Sequence, residues 1–258
     1  MECTKAIVTF SGGMDSATLI AHLKSFGHEV ISLSVDYGQR HRVELEYASR
    51  FARHVGIRHE FADLRGITKL LSGSSLTDSL IEVPLGHYGS DSMKKTVVPN
   101  RNMLLLATAT ALAVSERARF VAFAAHSGDH TIYPDCRPEF ADAMATAISL
   151  CDWHTPELIR PFITLTKAEI VQRGNLLDVP FQLTWSCYEG GARHCGACGT
   201  CIERREAFEL AKVDDPTEYE ESAPSLSISD GQMEIDWSRT LRGGARTRSQ
   251  RDPVELSR

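Results

Sequence analysis

Six residues near the start of the chain, Ser11-Gly12-Gly13-Met14-Asp15-Ser16, constrain the fold more tightly than any other feature of the sequence. They follow an apolar run at residues 6–10 that reads as a buried strand, and they precede Leu19, Ile20 and Leu23 at helical spacing. A strand that passes into a helix over two adjacent glycines lets the backbone bend closely around an anion, while the N–H groups of the first helical turn remain unpaired. Ser11 and Ser16 add hydroxyl donors. A plain strand-to-helix turn capped by Ser or Asp contains some of these features, so the reading as a phosphate loop rests on all six residues together. The chain has no Gly-x-x-x-x-Gly-Lys-Ser/Thr loop, which speaks against γ-phosphoryl transfer.

The alternation continues beyond the loop. Residues 30–35, 57–62 and 120–125 read as strands, and residues 42–55, 102–116 and 138–150 as helices. An apolar stretch at 159–165 leads into a helix at 167–174, and another helix is expected at 202–212. This is the pattern of an α/β fold, a parallel sheet with helices on both faces. Residues 72–96 carry Gly, Ser and Pro without periodicity and read as an active-site loop or flap. Residues 225–237 alternate around Asp230-Gly231, the signature of a two-residue hairpin, and the last twenty residues are Arg-rich. The expected organisation is an ATP-binding α/β domain over 1–180, a zinc-binding helical segment over 181–221, and a hairpin with an Arg-rich tail over 222–258.

No apolar run approaches the ~20 residues of a membrane span, and the N-terminus lacks a signal-peptide layout, so a cytoplasmic protein without a membrane partner is expected. A net charge of -6 argues against general affinity for nucleic acid. Of seven cysteines, Cys187, Cys195, Cys198 and Cys201 crowd into one segment, the last three at three-residue intervals. That spacing suits a tetrahedral Zn2+ site of four thiolates, which leaves no open position and so fixes local fold instead of catalysing. His194 is an alternative ligand but reads better as a surface residue. His126 and His130 are separated by Ser127-Gly128-Asp129, which breaks a helix, so a substrate-facing loop is expected there instead of a second metal.

Three further segments offer binding groups. In Tyr133-Pro134-Asp135-Cys136-Arg137, after the fourth expected strand, Asp135 suits hydrogen bonds from a base and Arg137 suits a carboxylate or phosphate. The same residues also read as a simple helix start. Arg101, in Pro99-Asn100-Arg101-Asn102, stands where it would meet an ATP phosphate, with Asn100 or Asn102 as a cap being the plainer reading. Lys167, in the first turn of its helix, would stabilise negative charge on ATP or on released pyrophosphate.

The glycine loop resembles the pyrophosphate loop (PP-loop) of the N-type ATP pyrophosphatases, which cleave ATP between the α- and β-phosphates and form adenylylated intermediates. Phe10-Ser-Gly-Gly-Met-Asp-Ser16, Asp36-Tyr-Gly-Gln-Arg-His41, Pro99-Asn-Arg-Asn102, Tyr133-Pro-Asp-Cys-Arg-Pro-Glu-Phe140, Thr184-Trp-Ser-Cys187 and the cysteine run together resemble the 7-cyano-7-deazaguanine synthase family, QueC, over roughly residues 5–212. The resemblance implies an adenine-nucleotide α-hydrolase-like, Rossmann-like fold. It further implies conversion of 7-carboxy-7-deazaguanine to the nitrile with ammonia, through an adenylylated acid and then an adenylylated amide, by a homodimer. On that reading ATP is held by Phe10, Ser11, Gly12, Gly13, Met14, Asp15, Ser16, Asp36 and Arg101. Mg2+ neutralises the leaving pyrophosphate, and Ser11, Asp15, Ser16 and Lys167 serve the chemistry. Asp129, Tyr133, Asp135 and Arg137 take the deazaguanine, and the four cysteines take Zn2+.

Residues 125–132 depart from the Gly-Val-Asn-rich version associated with many members, and the tail beyond Asp214 is longer than the family needs. A QueC-like phage-defence enzyme that conjugates the activated acid to a protein or nucleic-acid amine is therefore an alternative. A tRNA-thiolating PP-loop enzyme shares the loop but not the segment from Tyr133 to Phe140. A non-enzymatic zinc-ribbon module would explain the cysteines and leave the loop unexplained.

Overall fold

The structure, a computed structural model, describes residues 4–229 and 232–242. Five parallel strands, β1 (Lys5–Thr9), β2 (Glu29–Asp36), β3 (Arg58–Asp63), β4 (Phe120–Ala122) and β5 (Glu157–Ile159), form one sheet in the order β3-β2-β1-β4-β5. β1 is central, with Ala6 opposite Val30 on one side and Phe120 on the other. Its residues alternate between two cores. Ala6 and Val8 face one, Ile7 faces the other, and all three are fully buried. This explains why the strand reads as a continuous apolar run instead of an alternating one.

Helices cover both faces. α1 (Met14–Ser25), α2 (Val43–His54), α5 (Lys167–Leu176) and α6 (Gly199–Ala211) send Leu19, Phe51, Ile170 and Phe208 into the first core. α3 (Arg101–Ser115) and α4 (Pro138–Ile148) send Leu106, Ala109, Met144 and Ile148 into the second. A side chain as completely buried as Phe51 contributes about 1.5–3 kcal/mol relative to exposure, so the two cores hold the sheet edges in register. Because α6 carries Cys201 and shares a core with β1, the cysteine segment is packed into the α/β body. The strand order reverses between β1 and β4, and in open parallel sheets the crevice at the carboxyl ends of such a pair is where ligands bind.

Several elements differ in extent from the sequence reading. β4 ends at Ala122, because the chain beyond it leaves the ladder and residues 123–125 turn to line the crevice. α6 starts at Gly199, with Cys198 as its N-cap, so the close cysteine spacing and the helix start are one feature. Residues 72–96 are anchored to the body. Leu76 and Met93 are fully buried, Leu85 forms an antiparallel bridge with Cys198, and the Gly86 N–H donates to the Ala197 carbonyl at 3.0 Å. β6 (Ser225–Ser229) and β7 (Gln232–Asp236) pair antiparallel as the expected hairpin, and a short helix α7 (Ser238–Arg242) follows. The Asp230-Gly231 turn and residues 243–258 of the Arg-rich tail lie outside the described residues. Among the described residues no helix is long and apolar enough to cross a membrane.

Candidate active site and metal centre

A cleft opens at the carboxyl ends of β1 and β4, with the loop from Ser11 to Ser16 as its floor. Gly12 has φ +79°, a conformation that suits glycine, and a Cβ there would lie 2.4 Å from the Glu44 carbonyl oxygen, so the start of α2 packs directly on the loop. Gly13 is the extended N-cap of α1, and no side chain caps that helix. The N–H groups of its first turn are therefore open to an anion. Two hydroxyls stand beside them. Ser11 Oγ accepts from the Gly13 N–H at 3.3 Å and lies 3.4 Å from Ser16 Oγ, which also donates to the Gly13 carbonyl at 3.1 Å.

A charged network flanks the loop. Lys167 Nζ is 3.2 Å from Asp15 Oδ2 and 2.6 Å from Glu203 Oε2. Thr166 and Glu169 form a reciprocal capping box that fixes the start of α5 and with it Lys167. Burial opposes a charge on Lys167, yet Asp15, Glu203 and Asp129 outweigh it and hold its pKa above the ordinary range. His126 Nδ1 accepts from the Gly128 N–H at 3.1 Å, which leaves Nε2 to carry the hydrogen, 3.5 Å from Asp129 Oδ2. The Tyr88 hydroxyl donates to Asp129 Oδ1 at 3.0 Å. Burial would raise the Asp129 carboxyl, but His126, Lys167 and Tyr88 together hold it below its usual value. Asp129 is thus an ionised acceptor inside the cleft.

Tyr37, Tyr88 and Tyr188 wall the cleft, and Tyr133 sits behind them with its hydroxyl 2.5 Å from Thr96 Oγ1 and 3.3 Å from Tyr188. Burial pushes the phenols of Tyr37, Tyr88 and Tyr188 up, so they remain neutral hydrogen-bonding groups. The Arg101 guanidinium lies 5.3 Å from the centre of the Tyr133 ring. Desolvation works against its charge, but Tyr37, Tyr188 and Asp135 favour it.

Of the residues singled out in the sequence, Phe10, Ser11, Gly13, Asp15, Ser16, Arg101, Asp129 and Lys167 line this cleft. Gly12 faces α2, and Met14 is buried in the core beneath. Asp36 is buried below the floor, where it accepts from the Gly38 N–H at 2.9 Å and pairs with Arg42 at 2.7 Å. Asp135 Oδ2 accepts from the Asn102 N–H at 2.9 Å, capping α3 from a distant segment, while Asn102 Nδ2 donates to the Asp135 carbonyl at 3.0 Å. Arg137 is directed to the His130 carbonyl at 2.9 Å. Tyr133, Asp135 and Arg137 do not line the cleft. Tyr88, Tyr188, His41, Glu44 and Trp185 do line it, and Glu203 stands against Lys167. His41 and Trp185 fall inside the segments Asp36–His41 and Thr184–Cys187 that stand out in the sequence, whereas no local pattern marks Tyr88, Tyr188, Glu44 or Glu203, which are delivered by tertiary contacts.

The four cysteines meet as their spacing suggests. Their sulfurs all lie within 4.8 Å of one another. The Cys195 N–H donates to Cys187 Sγ at 3.3 Å, and the N–H groups of Ala197 and Cys198 donate to Cys195 Sγ at 3.4 and 3.2 Å. Such donors stabilise thiolate sulfur, and four buried or half-buried thiolates this close suit a tetrahedral ion with about 2.3 Å bonds. His194 is no surface residue. It is buried, its ring lies 4.1 Å from that of Trp185, and its Nε2 accepts from the Ser186 N–H at 3.0 Å, while burial drives its pKa down to about 3. The surface reading failed because the aromatic neighbours come from outside the cysteine run. Arg204, fully buried, donates to Thr184 Oγ1 at 2.8 Å and to Asp215 at 3.2 Å, fastening the 184–187 segment to α6.

The model of the family "Queuosine biosynthesis protein QueC" matches residues 5–212. A protein of Allorhizobium ampelinum named 7-cyano-7-deazaguanine synthase is 50% identical over 230 residues, covering 88% of this chain and 97% of its own. One of the same name from Rhizobium meliloti is 52% identical over 220 residues, covering 84% and 92%. Among solved structures, an NMN synthetase from Francisella tularensis aligns with a TM-score of 0.45 at 18% identity, over 83% of this chain and 79% of its own.

Proposed function

This chain belongs to the family of queuosine biosynthesis protein QueC, and we propose that it is an ATP-dependent carbon–nitrogen ligase that converts 7-carboxy-7-deazaguanine to 7-cyano-7-deazaguanine with ammonia. The observation that carries this reading is the meeting of the Ser11–Ser16 loop, Lys167 and Asp129 in one cleft at the sheet's switch point. No side chain is needed as a covalent nucleophile, because positioning and charge stabilisation suffice for adenylyl transfer.

The substrate carboxylate attacks the α-phosphorus of ATP, and pyrophosphate leaves. The open N–H groups of α1 and the hydroxyls of Ser11 and Ser16 hold the phosphates, and Lys167 and Arg101 offset the charge that builds on them. Ammonia then displaces AMP from the acyl carbon to give the amide. The amide oxygen then attacks the α-phosphorus of a second ATP, pyrophosphate leaves, and loss of both nitrogen-bound protons together with departure of AMP leaves the nitrile. Asp129, ionised and backed by Tyr88, is the acceptor offered to the N–H edge of the deazaguanine, with Tyr88 and Tyr188 as flat neighbours of its ring. Tyr133, Asp135 and Arg137 support this wall from behind, through Tyr188, the α3 cap and the His130 carbonyl.

Asp15 Oδ1 is buried without a hydrogen-bond partner, which fits it to meet Mg2+ arriving with the ATP phosphates. Zn2+ would be held by Cys187, Cys195, Cys198 and Cys201, where it supplies a cross-link of the local fold. We further read the molecule as a cytoplasmic homodimer, with units bounded at 180 and 221. Reduced, clustered cysteines support the compartment and the family resemblance supports the dimer.

The test is incubation of purified protein with ATP, ammonia and 7-carboxy-7-deazaguanine, followed by mass spectrometry. AMP together with the nitrile is expected. AMP without nitrile would sink the synthase reading, and AMP appearing only with a protein or nucleic-acid amine would replace it with conjugation.

A further inference from the structure

We propose that Glu203 is a positioning residue which, acting through Lys167, ties the first turns of the cysteine-anchored helix α6 to the phosphate loop. Glu203 does not line the cleft and reaches the phosphate loop through Lys167. Its Oε2 lies 2.6 Å from Lys167 Nζ, and Lys167 Nζ lies 3.2 Å from Asp15 Oδ2. On its other side, Glu203 Oε1 lies 3.2 Å from where a Cβ on Gly128 would stand, so the carboxylate is packed against the 126–131 segment that carries Asp129.

Lys167 needs such a partner. It occupies the first position of α5, where the helix dipole disfavours a cation, and its side chain is 13% exposed, so water does little to solvate the ammonium. Glu203, itself 10% exposed at the side chain, compensates the lysine in a setting that salt screens weakly. Lys167 Nζ is in contact with both carboxylates, so two of its three N–H bonds are directed and the third is left to reach an anion at the loop. Without Glu203 the ammonium would keep only the Asp15 contact and would lose the shorter one that fixes its position.

Glu203 lies two residues beyond Cys201 and five beyond Cys198, in the same helix. The cysteine segment therefore delivers a side chain to the ATP site in addition to stapling the fold. This inference rests on the proposed role of Lys167 at the phosphates, and its test needs no deazaguanine turnover.

Affinity for magnesium pyrophosphate, and for an ATP analogue with a methylene between the α- and β-phosphates, would be measured by calorimetry. The proteins are the wild type, Glu203→Gln, Lys167→Met and the double variant, each with zinc content determined. Glu203→Gln should weaken pyrophosphate binding about tenfold with zinc retained, and should add nothing in the Lys167→Met background. An equal loss in both backgrounds, or no loss in either, overturns the proposal. If Glu203→Gln loses zinc, Glu203→Asp takes its place: the shorter carboxylate keeps the charge but not the 2.6 Å contact, and should give a smaller loss that again disappears with Lys167→Met. Failure of nitrile formation in the wild type with this coupling intact would count against the synthase reading alone.

Discussion

Trp185 is hydrogen-bonded to Gly12 backbone to backbone, its N–H donating to the glycine carbonyl at 2.8 Å, while its indole N–H donates at 2.8 Å to the carbonyl of Cys187. One residue thereby joins the phosphate loop to the first residue of the four-cysteine cluster. Its ring is buried, packed 5.0 Å from Tyr47 and 4.1 Å from His194.

Removal of the proposed zinc should therefore be felt at the loop. Four thiolates without an ion repel one another or take up protons, and the segment that carries Trp185 loses its cross-link. Stripping zinc with a strong chelator is expected to shift the tryptophan emission to the red and to speed amide exchange at residues 11–16. Trp153 is fully exposed, so it contributes little to that shift. An emission spectrum and loop exchange unchanged after metal loss would show that the two sites are independent.

The two loop glycines should respond differently to alanine. At Gly12 the positive φ alone costs a side chain about 1–2 kcal/mol, and the Cβ would also press on the Glu44 carbonyl at 2.4 Å. Gly12→Ala is expected to lower the urea midpoint and to abolish AMP release. Gly13 is extended, and its Cβ would press on Ser11 Oγ at 3.2 Å while meeting the Trp185 carbonyl oxygen at an ordinary 3.7 Å. Gly13→Ala should fold with nearly normal stability and lose ATP affinity by displacing that hydroxyl. Equal destabilisation by both substitutions would argue against this reading of the loop.

What was legible in the sequence depended on locality. The loop, β1 and α1 form one contiguous stretch, and the four clustered cysteines lie within fifteen residues, so composition and spacing exposed both. Glu203 and Tyr88 were invisible because their partners, Lys167 and Asp129, are 36 and 41 residues away. Asp135 shows the converse limit. The residues around it read equally as a ligand site and as a helix start, and the structure uses its carboxylate to cap α3, whose first residues lie 33 positions earlier. No pattern read along the chain could have paired them.

That capping role gives Asp135 a diagnostic pair of substitutions. Asp135→Ala removes the acceptor of the Asn102 N–H and should cost about 0.5–2 kcal/mol, as lost N-caps do. Because α3 begins at Arg101, KM for ATP should rise as well. Asp135→Asn retains a carbonyl oxygen for the same N–H, so stability and KM for 7-carboxy-7-deazaguanine should stay within about threefold of wild type, a shift below the ~1.4 kcal/mol of a tenfold change. A large rise in KM for the deazaguanine with Asp135→Asn would instead put this carboxylate in contact with the substrate.

His22 provides a test in pH. Its Nδ1 lies 2.8 Å from Arg173 Nη1, and its ring stands 4.9 Å from Phe26 and 5.5 Å from Phe162. Burial first, then Arg173 and His28, lowers its pKa from 6.5 to about 4. The folded protein therefore binds this proton less readily than the unfolded chain. The stabilisation is complete above pH 6.5 and is lost as pH falls from 6.5 towards 4, because the unfolded state takes up the proton first. The full shift corresponds to about 3.4 kcal/mol, and discounting for a half-exposed ring leaves about 1–2 kcal/mol. His22→Leu keeps an apolar group at the site and removes the titration. Urea unfolding of both proteins at pH 7 and pH 4.5 should show the wild type losing about 1–2 kcal/mol more than the variant over that interval. Parallel losses would mean that His22 is not held buried beside Arg173 in solution.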